Sequence, residues 1–138
     1  MRQTLEKNLA LLIIRLGAGG MMLTHGIPKI NRLMADEVKF ADPFGLGPTV
    51  SLALATFAEV GCAILVMIGF KVRLAAIPLI ITMLTAAFYA HWDDPFGKKE
   101  LPLLYLICFL ALLIQGGGNI SIDGLFGKKK NIYKGPAL

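Results

Sequence analysis

The chain has 138 residues, of which 56% are hydrophobic and 17% are charged, and its mean hydropathy is +0.68. Soluble domains contain about 45–50% apolar and about 25% charged residues, so this composition indicates a membrane protein and excludes a disordered, collagen-like or disulfide-stapled chain. The net charge of +5 fits binding of nucleic acid, binding of acidic lipid or membrane topology alone.

Four apolar stretches follow one another along the chain. A helix that spans a bilayer needs about 20 residues, within a range of about 17–25. The stretches cover about residues 9–27, 49–70, 72–90 and 101–117, and a basic tail follows over 124–138. They predict an all-α protein, a four-helix transmembrane bundle in up-down-up-down order that forms one domain over residues 1–138.

The first stretch has an alternative interpretation as a cleaved secretory signal. Arg15 interrupts its apolar run after six residues, and no Ala-x-Ala cleavage site follows. We therefore expect the first stretch to be a retained helix.

The charged residues divide between the two sides of this predicted bundle. One side, with both termini and the turn between helices 2 and 3, has a net charge of +6, and the other has −1. The +6 side carries two acids and eight basic residues: Arg2, Lys7, Lys71, Arg73, Lys128, Lys129, Lys130 and Lys134. The positive-inside rule then predicts cytoplasmic N- and C-termini in a multi-pass protein of the cell inner membrane.

Arg15 and Glu59 are charged residues inside the first and second stretches. A charge at membrane depth costs at least about 2.5–3.5 kcal/mol on insertion scales, so it usually faces the bundle interior and finds a partner. The expected depths of the two residues differ by roughly 5 Å, which predicts an ion pair between helices 1 and 2. The pair has two interpretations, a ligand-binding site or proton relay and a structural clasp.

A second polar cluster is predicted on the outer face. It contains His25 and Lys29 at the end of helix 1, His91 at the end of helix 3, and Glu100 at the beginning of helix 4. These residues are compatible with a polar ligand pocket and equally with ordinary interfacial anchoring. Two histidines and a carboxylate would also suit a divalent ion, but we favour the interfacial interpretation and predict no metal site.

Other cofactors and partners receive less support. The chain shows no haem, flavin or metal motif, and Cys62 and Cys108 are too far apart for a CxxC pair. Gly116-Gly117-Gly118 lacks the spacing of a dinucleotide-binding loop. The basic tail has no interleaved aromatic residues, so we expect no nucleic-acid partner.

Several short motifs resemble the DoxX family of small bacterial membrane proteins. In chain order they are Arg15-Leu16-Gly17, His25-Gly26-x-x-Lys29, Ala58-Glu59, His91, Glu100-Leu101-Pro102 and a closing Gly118-Asn119-Ile120-Ser121-Ile122-Asp123. The family ending usually has Pro where this chain has Gly117 and Leu where it has Ile122. In this resemblance Gly118, Ser121 and Asp123 form a structural motif on the cytoplasmic side.

The resemblance implies a four-helix inner-membrane protein linked to quinol oxidase or thiosulfate:quinone oxidoreductase. Our leading hypothesis is an accessory or small subunit of a membrane redox system, with the lipid bilayer and a redox partner subunit as its partners. It would bind a small or quinone-like ligand in a polar seam between helices 1 and 2. Transport of a small solute and a non-catalytic membrane scaffold are the alternatives, and the oligomeric state stays open.

Overall fold

The computed structural model describes residues 2–133 and, within them, the side chains of residues 4–128. This part of the chain contains five helices and no strand, which confirms the all-α expectation. The helices are α1 (Arg2–Leu33), α2 (Pro48–Ile68), α3 (Val72–Ala90), α4 (Phe96–Gln115) and α5 (Ile122–Tyr133). Residues 134–138, the end of the predicted basic tail, lie outside the described residues.

The helix bounds differ from the apolar stretches chiefly in α1, which ends six residues later at Leu33, at the start of α4 and in the tail. α1 begins seven residues earlier than predicted, and α4 begins at Phe96, directly after Pro95 as its N-cap. The first part of the predicted tail is itself helical, as α5. Apolar stretches indicate what a bilayer can accommodate, whereas helices continue into polar sequence wherever the backbone hydrogen bonds continue.

Three helices are long and apolar enough to cross a membrane, over Thr4–Leu33, Pro48–Ile68 and Val72–Ala90. α4 is not among them because Lys98, Lys99 and Glu100 lie in its first turns. Three of the four predicted spans are thus supported, and the fourth span and the orientation of the termini stay predictions.

Glycines in α1 set the contact between α1 and α2. A Cβ on Gly19 would lie 3.1 Å from the carbonyl oxygen of Ala63, and a Cβ on Gly26 would lie 2.8 Å from the carbonyl carbon of Glu59. Small residues allow this close approach of helix backbones in membrane proteins. Because the later glycine meets the earlier partner, α1 and α2 are antiparallel.

Gly69 ends α2 and starts the short turn into α3. Its φ of 78° lies in the left-handed region, and the amide of Phe70 donates to the carbonyl of Leu65 at 2.9 Å. This is the Schellman arrangement, in which glycine is the usual left-handed residue directly after a helix. Lys71, with a φ of 46°, is also left-handed, so the chain reverses direction between α2 and α3 within three residues.

The helices surround an apolar core and expose a large apolar outer surface. Met22, Val66, Leu79 and Phe109 are fully buried in the core. The exposed large side chains include residues of all four long helices, among them Ile13, Leu54, Leu74, Ile107 and Ile114. A surface of this kind suits lipid rather than water, in agreement with residence in a bilayer.

Two ends of the bundle are distinguished below. The turn end contains the beginning of α1, the turn at 69–71 and the beginning of α5. The loop end contains the end of α1, the loop at 34–47 and the turn at 91–95.

Candidate functional site

A cavity of 490 Å³ lies at the loop end. Its walls are the halves of α2 and α3 nearest the loop end, together with the end of α1 and the loop at 34–47. The lining is largely apolar, and it includes four titratable side chains: Lys29, Arg32, Glu59 and His91. The cavity thus lies mainly between α2 and α3, and not in the seam between helices 1 and 2 that we predicted.

Glu59 and Lys29 form the most buried ion pair at this end. The Nζ atom of Lys29 lies 2.5 Å from Oε2 of Glu59, and the side chains are 17% and 6% exposed. Lys29 also donates to the carbonyl of His25 at 3.2 Å. Because Gly26 brings the backbones of α1 and α2 together, the lysine one turn later reaches the glutamate.

Two π-helical segments lie beside the cavity. Phe57–Cys62 interrupts α2 and contains Glu59, and Ala86–Ala90 ends α3 immediately before His91. A π segment widens the helix by one residue per turn and shifts the side chains that follow it, and such segments are frequent at functional sites. Both segments contribute residues to the lining.

His91 is held by an acidic neighbour. Its Nδ1 atom lies 2.7 Å from Oδ2 of Asp94, and this hydrogen bond is the main cause that lowers the pKa of Asp94 below its ordinary value. The Asp94 contact occupies Nδ1, so Nε2 is the remaining ring nitrogen of a residue that lines the cavity.

The loop at 34–47 covers the cavity and is fixed by Asp42. The carboxylate of Asp42 accepts hydrogen bonds from the amides of Leu46 and Gly47, at 2.9 and 3.0 Å, and from the hydroxyl of Ser51 at 2.8 Å. The Ser51 bond contributes most to lowering the pKa of Asp42. Phe44, in the same loop, is one of the residues that line the cavity.

Arg32 joins the same loop to α1. Its Nη2 atom donates to the carbonyl of Lys39 at 2.7 Å, and its guanidinium lies 5.5 Å from the centre of the Phe40 ring. The loop end therefore presents two cations, Lys29 and Arg32, on successive turns of α1, and of these Lys29 contacts the buried carboxylate of Glu59.

Arg15 lies at the turn end, and the predicted ion pair with Glu59 is wrong. Arg15 is 2% exposed and donates four hydrogen bonds to backbone carbonyls. Their acceptors, at 2.6–2.9 Å, are Val66, Met67, Gly117 and Ile120. Glu59 is seven residues before Val66 on α2, which is about 10 Å along the helix axis, so each charge has found a nearer partner.

The contacts of Arg15 explain why a charge is tolerated there. The last carbonyls of a helix have no partner within the helix and carry the negative end of its dipole. Val66 and Met67 are two such groups at the end of α2, and Gly117 and Ile120 follow α4. The guanidinium therefore joins α1, the end of α2 and the segment between α4 and α5 at the turn end.

The predicted cytoplasmic motif completes this arrangement. Asp123 accepts hydrogen bonds from the amides of Lys71 at 2.8 Å and Val72 at 3.0 Å, which caps the beginning of α3. The Ser121 hydroxyl donates to the carbonyl of Gly118 and accepts from a following amide. Gly118 has a φ of 76° and packs against Asn8, so these residues are structural in this fold.

The DoxX family profile matches residues 10–92. The chain belongs to the DoxX family. Two relatives from Haemophilus influenzae (strain ATCC 51907 / DSM 11121 / KW20 / Rd), each described as an uncharacterized protein, are 28% identical to it. One aligns over 134 residues, covering 91% of this chain and 89% of the relative, and the other over 126 residues, covering 86% and 92%. The solved structures contain no significant match.

The DoxX match contains the loop-end cavity and also Arg15, but it ends before the closing motif at 118–123. Of the predicted outer cluster, only Lys29 and His91 line the cavity. His25 instead packs edge-on against Tyr105, with 5.8 Å between ring centres, and Glu100 is exposed on α4. Within the described side chains, no group of three or more His, Cys, Asp or Glu could hold a metal ion.

Sequence reasoning missed two residues within the DoxX region. Arg32 follows Lys29 by three positions, and this i,i+3 spacing signals a shared helix face once α1 is known to continue to Leu33. Asp42 followed by Ser51 has no comparable signal, because a loop brings the two side chains together.

Proposed function

We propose that this DoxX protein crosses the cell inner membrane four times, with α1–α4, and has cytoplasmic termini. The lysines and arginines support this orientation. Lys7, Lys71, Arg73 and Lys128 are exposed at the turn end, where basic residues favour the cytoplasmic side.

The proposed activity is the binding of a small, quinone-like ligand in the loop-end cavity. The observation that carries it is a buried ion pair, Lys29–Glu59, on the wall of a largely apolar cavity. Ligand sites typically measure about 300–1,000 Å³ and combine apolar walls with a few polar groups that orient the ligand. A flat apolar ring suits these walls, and its carbonyl oxygen suits the ammonium of Lys29 as an acceptor.

The cationic surroundings also support a polarising role. The described residues that line the cavity include two cations, Lys29 and Arg32, and one carboxylate, Glu59. A carbonyl that accepts from Lys29 becomes more electron-poor, which would favour reduction of a bound quinone by a partner. We therefore propose an accessory subunit that holds a quinone-like ligand for a membrane redox system.

Permeation of a small solute is less well supported. Met22 lies between Arg15 and Lys29 on α1, and Ala63 lies between Glu59 and Val66 on α2. Both are fully buried in the core. Packed apolar side chains thus occupy the path from the cavity to the turn end.

Binding of ubiquinone-1 to the purified protein tests the proposal. Trp92 is the single tryptophan and follows His91, so quenching of its fluorescence reports occupancy of the cavity. The double variant K29Q/E59Q removes both charges and keeps hydrogen-bonding groups. We expect at least tenfold weaker binding, because a hydrogen bond to a charged group contributes about 1.5–3 kcal/mol.

A second ion pair provides the matched control. Glu37 and Lys39 lie 3.6 Å apart in the loop, are about 80% exposed and do not line the cavity. The variant E37Q/K39Q should bind ubiquinone-1 as the unchanged protein does. Equal affinities for both double variants, with unchanged circular dichroism, would contradict a role for the buried pair.

A further inference from the structure

α5 is fixed at the level where the spanning helices end. The amide of Asp123 donates to the carbonyl of Gly69 at 2.9 Å, and its carboxylate accepts from the amides of Lys71 and Val72. Gly69 directly follows α2, and Val72 begins α3. The first turn of α5 therefore starts at the edge of the membrane-spanning segments.

Two large apolar side chains are exposed on this helix. Leu125 and Phe126 are 61% and 59% exposed, although they lie only two and three residues after the anchoring Asp123. In the described part of the chain, neither side chain belongs to the packed core. At this level the acyl chains of a bilayer lie next to Leu125 and Phe126, and burial of apolar side chains among them is strongly favourable.

Basic residues surround the same region. Lys128 is exposed, and the sequence continues with Lys129 and Lys130. Lys71 and Arg73, at the beginning of α3, are exposed beside the anchor of α5. Clusters of Lys or Arg next to a spanning helix attract acidic lipid headgroups, so the charge of this surface specifies one kind of partner.

We propose that α5 lies in the membrane interface and binds acidic phospholipid of the bilayer that α1–α3 enter. Leu125 and Phe126 insert into the boundary between headgroups and acyl chains. Lys128 contacts the phosphates of the anionic headgroups, and Lys71 and Arg73 extend the same basic surface. This proposal is independent of the ligand in the loop-end cavity.

A tryptophan reporter tests it in the full chain. The variant W92F/F126W has its single tryptophan on α5, and it is reconstituted into nanodiscs of phosphatidylcholine alone or with 30% phosphatidylglycerol. Lipids brominated near the headgroup quench an inserted tryptophan, and iodide quenches one in water. We expect bromine quenching that increases severalfold with phosphatidylglycerol and that falls in 0.5 M salt.

Charge variants in the same background separate lipid binding from general insertion. K128Q/K129Q should require more phosphatidylglycerol for half-maximal quenching, because each lysine near an acidic surface strengthens attachment about fivefold. The matched control K39Q/K98Q removes two exposed loop-end lysines and should change nothing.

Two outcomes overturn the proposal. If iodide quenches the tryptophan of W92F/F126W equally in both kinds of nanodisc and bromine does not, α5 faces water or another protein. If bromine quenching is equally strong in phosphatidylcholine alone, the helix inserts without recognising acidic lipid. The melting temperature of each variant shows that the bundle is intact in every comparison.

Discussion

Replacing Arg15 by methionine should destabilise the bundle without weakening ligand binding per folded molecule. The guanidinium makes four hydrogen bonds, each of about 1.5–3 kcal/mol for a charged donor, which is about 6–12 kcal/mol in gross terms. The variant recovers several kcal/mol, because no charge is then desolvated. The difference between these two contributions gives an expected net loss of about 3–5 kcal/mol, because buried carbonyls lose their donors.

The measurement is equilibrium unfolding in mixed micelles with increasing dodecyl sulfate, followed by circular dichroism. R15K gives an intermediate case, with a loss of about 2 kcal/mol, because a compact ammonium cannot reach all the acceptors of a planar guanidinium. R32M is the matched control at the loop end. It removes one described hydrogen bond and one ring contact and should cost about 1 kcal/mol.

A free energy of unfolding of R15M within about 1 kcal/mol of that of the unchanged protein would contradict a structural role of Arg15. Loss of ubiquinone-1 binding per folded molecule would place Arg15 in the ligand site instead. The two readouts therefore separate a structural clamp from a ligand-binding arginine.

Three further predictions concern other contacts. Gly26→Ala should cost about 1–3 kcal/mol of stability in the same unfolding assay, because the added Cβ meets the backbone of Glu59. Gly17→Ala is its control, because a Cβ there meets no atom within 4 Å, and it should be neutral or slightly stabilising. Asp123→Ala should cost about 1 kcal/mol through the lost cap of α3, and a melting temperature equal to that of the unchanged protein would contradict the cap. The lowered pKa of Asp42 means that its stabilising contribution is complete above the unfolded value of about 4 and is lost as pH falls through the folded value. The melting temperature should therefore fall between pH 6 and pH 2. Asp42→Asn should make this fall smaller, and an equal fall in the variant would show that the hydrogen bonds of Asp42 do not stabilise the fold.

The apolar stretches predicted four of the five described helices, but not the axial offset of one helix against another. α3 has the bounds predicted from its apolar run, because Lys71 and His91 mark both ends. The pairing of Arg15 failed because hydropathy places a residue in depth only to within several positions. The offset of α1 against α2 depends on where Gly19 and Gly26 allow the backbones to approach, and composition does not contain that information.

At the candidate site, the sequence identifies single residues but not their contacts. Glu59 and Lys29 stand out in the sequence, because a charge in or beside an apolar stretch is recognisable without a structure. Their mutual contact was not predicted, since they lie 30 positions apart and belong to different helices. The loop over the cavity, held by Asp42, depends on the local path of the chain and has no periodic signal.

The hydrogen bonds of Arg15 also have a consequence for biosynthesis. Their acceptors follow it in the chain by 51 and 52 positions on α2, and by 102 and 105 positions after α4. While the protein is being made, the guanidinium meets the end of α2 first. Its remaining two acceptors become available only after the chain has been synthesised past Ile120. A segment synthesised more than 100 residues after Arg15 therefore supplies the last partners of its charge, which couples the synthesis of this later segment to the closing of the bundle.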